Sequence, residues 1–257
     1  MLTVAAVQMQ SQPYRVDENL EKAEGYLRQA SAKGAQVVVL PELFNTGYCY
    51  SARNFEAAEA ISGRTARWFR SMGKRFELFV AGAMIEKDRG RYYDTMVLGT
   101  PEGRIVSYRK RRLAMQEKCY FTPGDYPLII YTELGRIGTG ICADMLDRGV
   151  WERYRDKVDL LIVSSAWADF TTGRIPFART PLNRRITEMT RELPRRLAAS
   201  LGAPVVYANL CGPFNSTLPL LYPYDVGAEF AGNSSIHDAE GRRVMGLEKQ
   251  EGLVITR

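Results

Sequence analysis

A layered α/β fold is what this chain of 257 residues predicts, and three observations carry the prediction. An apolar strand over 3–9 is followed by a helical face and then by the unbroken apolar run Val37-Val38-Val39-Leu40, the order expected of a sheet covered by helices. Further buried strands are read at 160–163 and 204–208. Finally, apolar runs stop abruptly at polar residues, with Glu42 just after the second strand and Cys142 at the end of Arg136-Ile137-Gly138-Thr139-Gly140-Ile141. A strand end is a rigid place from which to present a side chain.

Composition narrows the class. A hydrophobic content of 46% is ordinary for a globular core, and a single domain over 1–257 is expected. The 35 Lys and Arg against 29 Asp and Glu leave a scattered net charge of +6, which favours solubility over a nucleic-acid surface. Cys49, Cys119, Cys142 and Cys211 are widely spaced with no CxxC pair, and the first residues lack the charged and apolar regions of a signal peptide. A reducing, cytoplasmic setting is therefore expected. No apolar stretch approaches the roughly 18 residues of a membrane span. The single histidine, His237, argues against a multi-histidine metal site, and no GxxxxGK[ST] loop supports nucleotide-driven chemistry. No metal and no cofactor are expected.

The elements follow in order. The first helix buries Leu20, Ala23, Leu27 and Ala30 and ends at Gly34. Thr65 reads as the cap of a helix burying Phe69, Met72 and Phe76, and 78–85 with 92–98 as a strand pair across the turn at 87–90. The turn Pro101-Glu102-Gly103 leads into a strand at 105–108, and another at 128–131 precedes the cysteine strand. Beyond the cysteine come a short helix with Val150, Trp151 and Tyr154, the strand at 160–163 ending in Ser164-Ser165-Ala166-Trp167, and a polar loop over 168–179. Thr180-Pro181 opens a helix with Leu182, Ile186 and Met189 on one face, and Pro194 is expected to divide it from a second segment reaching Leu201. A strand at 204–208, a loop over 212–227 and strands at 234–237 and 253–256 complete the chain.

A cysteine in an apolar strand is ordinarily a small inert hydrophobe, and an acid after a strand is ordinarily a solvated loop residue. What sets Cys142 and Glu42 apart is their company. The glycines before Cys142 leave room for close backbone or substrate approach, and the amide of Ala143 can donate to an oxyanion formed when the sulfur attacks a carbonyl or nitrile carbon. A third strand runs into Arg109-Lys110-Arg111-Arg112, a run too short and too poor in interleaved aromatics for a nucleic-acid patch. Another acid, Glu117, lies in the aromatic loop that follows.

Pro41-Glu42-Leu43 with Gly47-Tyr48, then Tyr108-Arg109-Lys110, then Gly140-Ile141-Cys142-Ala143-Asp144 form an ordered series. Tyr93-Asp94-Thr95, Glu117 ahead of Tyr120-Phe121 and Pro123-Gly124, Ala166-Trp167, Asn209 with Gly212, and Phe230-Ala231-Gly232 with Ser234 and Ile236 support it. Over nearly its whole length the chain thus resembles the carbon-nitrogen hydrolase, or nitrilase, superfamily. The resemblance implies a four-layer α-β-β-α sandwich. It also implies a homodimer or small homo-oligomer, because the chain stops at Arg257, close after its last strand, without a long tail of the kind that exchanges between subunits.

By the same resemblance, Cys142 is the nucleophile that forms a thioester, Glu42 the base, Lys110 the cation that favours the thiolate and steadies the oxyanion, and Glu117 a second acid beside the lysine. Tyr48 and Trp167 are placed to wall the acyl site. Ala143 and Arg112 depart from the aromatic and histidine often found at their positions, which bears on specificity, and Arg112 is a candidate to bind a substrate carboxylate. The expected substrate is a small linear amide or N-carbamoyl compound that releases ammonia, with a nitrile second. A non-catalytic binding or interaction protein on the same fold is the alternative from another class. Neither nucleic acid nor membrane is expected as a partner.

Overall fold

The structure, a computed structural model, describes residues 2–114, 116–173, 180–218 and 224–256. Its first sheet combines Val4–Gln8 (β1), Val37–Val39 (β2), Phe79–Asp88 (β3), Arg91–Gly99 (β4), Ile105–Arg109 (β5) and Gly252–Thr256 (β15), in the order β15-β1-β2-β3-β4-β5. The second combines Ile129–Thr132 (β6), Gly135–Ile141 (β7), Leu160–Ser165 (β8), Val205–Asn209 (β10), Ser235–His237 (β13) and Arg243–Gly246 (β14), in the order β14-β13-β10-β8-β7-β6. Ala168–Asp169 (β9), Pro213–Leu218 (β11) and Tyr224–Phe230 (β12) make a small third sheet.

Each large sheet has a parallel centre, β1-β2-β3 in one and β7-β8-β10 in the other. Parallel neighbours need crossovers. Val16–Ala32 (α1) and Arg64–Phe76 (α3) supply them for the first sheet, Arg148–Tyr154 (α4) and Pro181–Leu201 (α5) for the second. The short helix Arg53–Ala57 (α2) follows the loop after β2.

Alternation decides which residues face which layer. Val37 and Val39 point with Val4, Ala6 and Ala81 into the space between the sheets, whereas Val38, Ala5 and Val80 pack under Leu20, Leu27 and Phe69 of α1 and α3. On the far side Trp151 and Tyr154 of α4 lie against Gly140 and Gly138 of β7, and Leu197 and Leu201 of α5 join the same core. The layers run α-β-β-α. Burial of one valine side chain contributes roughly 1.5–3 kcal/mol, so three valines buried on alternating faces fix β2, the strand that leads to Glu42. No helix among the described residues is long and apolar enough to cross a membrane.

Four expectations need correction. Thr65 does not cap its helix: α3 starts at Arg64 behind Gly63, and the Thr65 amide and hydroxyl donate to the Glu59 carboxylate at 2.8 and 2.6 Å. Pro194 does not divide α5, which runs unbroken from Pro181 to Leu201. A mid-helix proline costs about 3 kcal/mol, and here the buried stripe Thr190, Pro194, Leu197, Ala198 and Leu201 holds the helix on the sheet. The loop expected over 212–227 contains β11 and leads into β12. Phe214, Ser216, Val226 and Ala228 are buried and alternate with exposed Asn215, Thr217 and Asp225, a period of two that the proline and tyrosine content obscured. Of the polar loop expected over 168–179, Ala168 and Asp169 form β9, and 174–179 lie outside the described residues.

Candidate active site

Strand ends from both sheets meet at one place. After β2 the Glu42 amide donates to the Ser165 carbonyl at 3.2 Å, and the Ser164 hydroxyl donates to the Leu40 carbonyl at 2.8 Å. These two bonds tie the ends of β2 and β8 together across the sandwich. Lys110 follows β5 directly, its amide donating to the Asp94 carbonyl of β4 at 2.8 Å. Cys142 follows β7 with a φ of 44°, a left-handed conformation that costs a non-glycine residue about 1–2 kcal/mol.

Asp144 holds that turn. One of its oxygens accepts from the Ile141 amide at 2.9 Å and the Tyr108 hydroxyl at 2.8 Å, and the other from the Arg111 and Arg112 amides at 3.2 and 2.7 Å. A single carboxylate therefore joins the cysteine turn to the end of β5. Burial pushes its pKa up to about 6, against the pull of the Arg112 and Ile141 amides.

Around the Lys110 ammonium lie three carboxylates, from Glu42 at 2.5 Å, Glu117 at 2.7 Å and Asp94 at 3.3 Å, and all four side chains are fully buried. The three acids come within 4.8 Å of one another, a spacing that suits a bound cation, and the ammonium of Lys110 is the cation among them. Burial alone would lower the lysine pKa, but Glu117, Glu42 and Asp94 outweigh it and hold the group well above its usual value. Burial also raises the Cys142 thiol, reinforced by Glu42 and only partly countered by Lys110, so the resting sulfur is a thiol. Glu117 is oriented from three sides, accepting from Lys110, from the Tyr48 hydroxyl at 2.6 Å and from the Ala114 amide at 2.6 Å.

Cys142 opens into a cavity of about 440 Å³. Tyr48, Ala143, Trp167 and Arg112 all line it, with Tyr50, Phe170, Ile186, Met189 and Phe214 among the apolar walls. Trp167 is fixed through its backbone: its amide donates to the Asn209 side chain at 2.8 Å, and its carbonyl accepts from the Ala231 amide at 2.8 Å. The glycine next to the cysteine strand's end leaves room for protein rather than substrate, since a Cβ on Gly140 would meet Trp151 at 2.9 Å.

The four-residue basic run disperses. Arg109 pairs with Glu86 and Asp88 and stacks 3.8 Å from the Tyr93 ring centre, Lys110 turns inward, Arg111 pairs with Asp147 at 3.1 Å, and Arg112 lies at the cavity. Two buried acids stand in the site without a role read from the sequence, Asp94 and Asp144. The only signal was their place inside Tyr93-Asp94-Thr95 and Cys142-Ala143-Asp144, since an isolated strand acid gives no hint of facing inward.

Comparison with known proteins places the chain in a family. A sequence profile of the carbon-nitrogen hydrolase family matches residues 3–257. The chain is 39% identical over 149 residues to a protein named nitrilase from Pyrococcus abyssi, covering 56% of each chain. To omega-amidase NIT2 of Bos taurus it is 33% identical over 182 residues, covering 66% of this chain and 65% of that one. The match thus spans about half to two thirds of the length of these relatives. Among solved structures, a CN-hydrolase superfamily protein from Xanthomonas campestris superimposes with a TM-score of 0.82 at 21% identity, over 99% of this chain and 89% of that one. An amidase from Nesterenkonia sp. AN1, with acrylamide added at its active-site cysteine, gives 0.82 at 22% identity over 100% and 93%. With a family match over nearly its whole length and the fold of these neighbours, the chain belongs to the carbon-nitrogen hydrolase family.

Proposed function

We propose that this protein hydrolyses the C–N bond of a small linear amide or N-carbamoyl compound, releasing ammonia through a thioester on Cys142. The observation that carries the reading is the fully buried Glu42-Lys110-Glu117 chain beside a cysteine that opens into a cavity of small-molecule size. Omega-amidase and amidase relatives support the substrate class.

The charges set the order of events. Because the sulfur rests as a thiol, attack on the carbonyl carbon needs its proton removed in the same step, and Glu42 is the base beside it. As the C–S bond forms, negative charge moves from Glu42 to the substrate oxygen. Lys110 and the Ala143 amide then stabilise that oxyanion, and one such donor is worth about 2.7–4 kcal/mol of barrier. Collapse breaks the C–N bond, and Glu42 returns its proton to the departing ammonia. Glu42 next deprotonates water, whose attack on the thioester frees the acid and restores the thiol. Glu117, held by Tyr48 and Ala114, keeps Lys110 in place throughout.

At the cavity, Tyr48 and Trp167 wall the acyl chain and Arg112 supplies positive charge for an acyl end that carries a carboxylate. A homodimer or small homo-oligomer completes the reading, in a cytoplasmic compartment whose reducing character fits four cysteines that are all free thiols.

The test is ammonia release at neutral pH from a panel of ω-amides, N-carbamoyl amines and amino acids, and simple nitriles, run in parallel with Cys142→Ala. Release by the unaltered protein alone is expected, with amides or carbamoyl compounds ahead of nitriles. Equal release by both proteins would sink the mechanism. A response confined to nitriles would move the assignment to nitrile hydrolysis, for which the Pyrococcus abyssi relative is the precedent by name.

A further inference from the structure

We infer that Asp94 is a positioning residue that works as a neutral acid, donating a hydrogen bond to Glu42 and leaving the charge of Lys110 free for the oxyanion. The inference rests on the proposed hydrolysis, and its first test does not require turnover.

Three buried oxygens at this site have no hydrogen-bond partner, Oε2 of Glu42 and both Oδ atoms of Asp94. Buried polar atoms left without partners are destabilising, and more so when charged. A proton on Asp94 directed at Glu42 satisfies one oxygen on each residue at once. The charge count gives the same answer. With Glu42, Asp94 and Glu117 all ionised around one ammonium, the fully buried cluster would carry a net charge of two negatives, but with Asp94 neutral it carries one.

The groups facing Asp94 come from every neighbouring element: Glu42 after β2, Lys110 after β5 and Glu117 in the short turn Gln116–Cys119. Burial and the Glu42 charge raise its pKa well above the usual carboxylate range, and Lys110 only partly offsets them.

The consequence is catalytic although Asp94 does not line the cavity. Were Asp94 an anion 3.3 Å from the ammonium, it would compete with the oxyanion for the same positive charge. As an acid it instead holds Glu42 in position as a carboxylate. During attack the single negative charge passes from Glu42 to the substrate oxygen while Asp94 keeps its own proton.

The test compares Asp94→Asn and Asp94→Ala by infrared spectroscopy and by kinetics. The unaltered protein at neutral pH should show the C=O stretch of a protonated carboxyl that disappears in Asp94→Asn. Absence of that band overturns the proposal whether or not a substrate has been found. In turnover, Asp94→Ala should lose about 10- to 100-fold in kcat with KM little changed, the worth of one hydrogen bond to a charged group. Asp94→Asn, whose amide can donate to Glu42 in the same way, should recover most of that loss with the acid limb of its pH profile unmoved. An Asp94→Asn protein as impaired as Asp94→Ala, or one whose acid limb shifts downward as if a neighbouring anion had been removed, would show that Asp94 works ionised.

Discussion

Replacement of Glu117 by glutamine separates two effects that the buried cluster couples. The amide oxygen of Glu117→Gln can still accept from Lys110 and Tyr48, which now lie 2.7 and 2.6 Å from Oε1. Its NH2 group must then face the Ala114 amide, a donor that at present reaches Oε2 at 2.6 Å. One buried donor without an acceptor costs about 1–3 kcal/mol, and a neutral in place of a charged acceptor for Lys110 adds about 1 kcal/mol. Felt wholly in the transition state, the sum of about 2–4 kcal/mol lowers kcat about 30- to 1,000-fold.

The thiol should respond in the opposite sense. Burial is the main cause of the raised Cys142 pKa, but the Glu117 charge adds to it, so its removal lets the thiol ionise at lower pH. The rate of Cys142 alkylation by iodoacetamide against pH reports the thiol, and steady-state kinetics report turnover. An alkylation profile displaced to lower pH together with a reduced kcat is expected. An undisplaced profile, or full turnover, would refute the reasoning that Glu117 acts through the charge and position of Lys110.

Tyr48→Phe keeps the ring in the cavity wall but removes the hydroxyl that donates to Glu117, so kcat should fall about tenfold or more while thermal stability and KM change little. Gly140→Ala places a Cβ 2.9 Å from the Trp151 ring in the strand that carries the nucleophile. It should destabilise the protein by about 1–3 kcal/mol, read from the denaturant midpoint. His237 is buried, with Nδ1 unpartnered, and burial lowers its pKa below 6.5. The unfolded chain therefore binds this proton more readily, and stability is lost as the pH falls from 6.5 through the lower native pKa. Denaturation series over that window should show the loss, and His237→Gln should flatten it.

How far the sequence reaches can be judged at particular residues. The unbroken run Val37-Val38-Val39-Leu40 and the abrupt change at Glu42 were readable because a central parallel strand has apolar neighbours on both faces. Glu42 and Cys142 could be singled out for the same reason, since each sits where such a run stops, whereas Lys110 follows the antiparallel edge strand β5 and stood out through the basic run and the resemblance. The hairpin of β11 and β12 was hidden because its buried positions mix Phe214 and Val226 with Ser216 and Ala228, which weakens the contrast with the exposed face. Pro194 misled because helix propensity is local, whereas the stripe from Thr190 to Leu201 that overrides it is a tertiary contact. Asp94 and Asp144 show the same limit at the site. That they face inward follows from which strand ends converge, and the convergence of β4, β5 and β7 with the loop after β2 is a property of the folded sandwich.

The most direct test of the account is the mass of the protein quenched in acid during turnover of the substrate that the panel identifies, with the modified peptide mapped. The account predicts an adduct equal to the substrate less ammonia, confined to the peptide that carries Cys142 and absent from Cys142→Ala. An adduct on Cys49, Cys119 or Cys211, or undiminished turnover by Cys142→Ala, would contradict it.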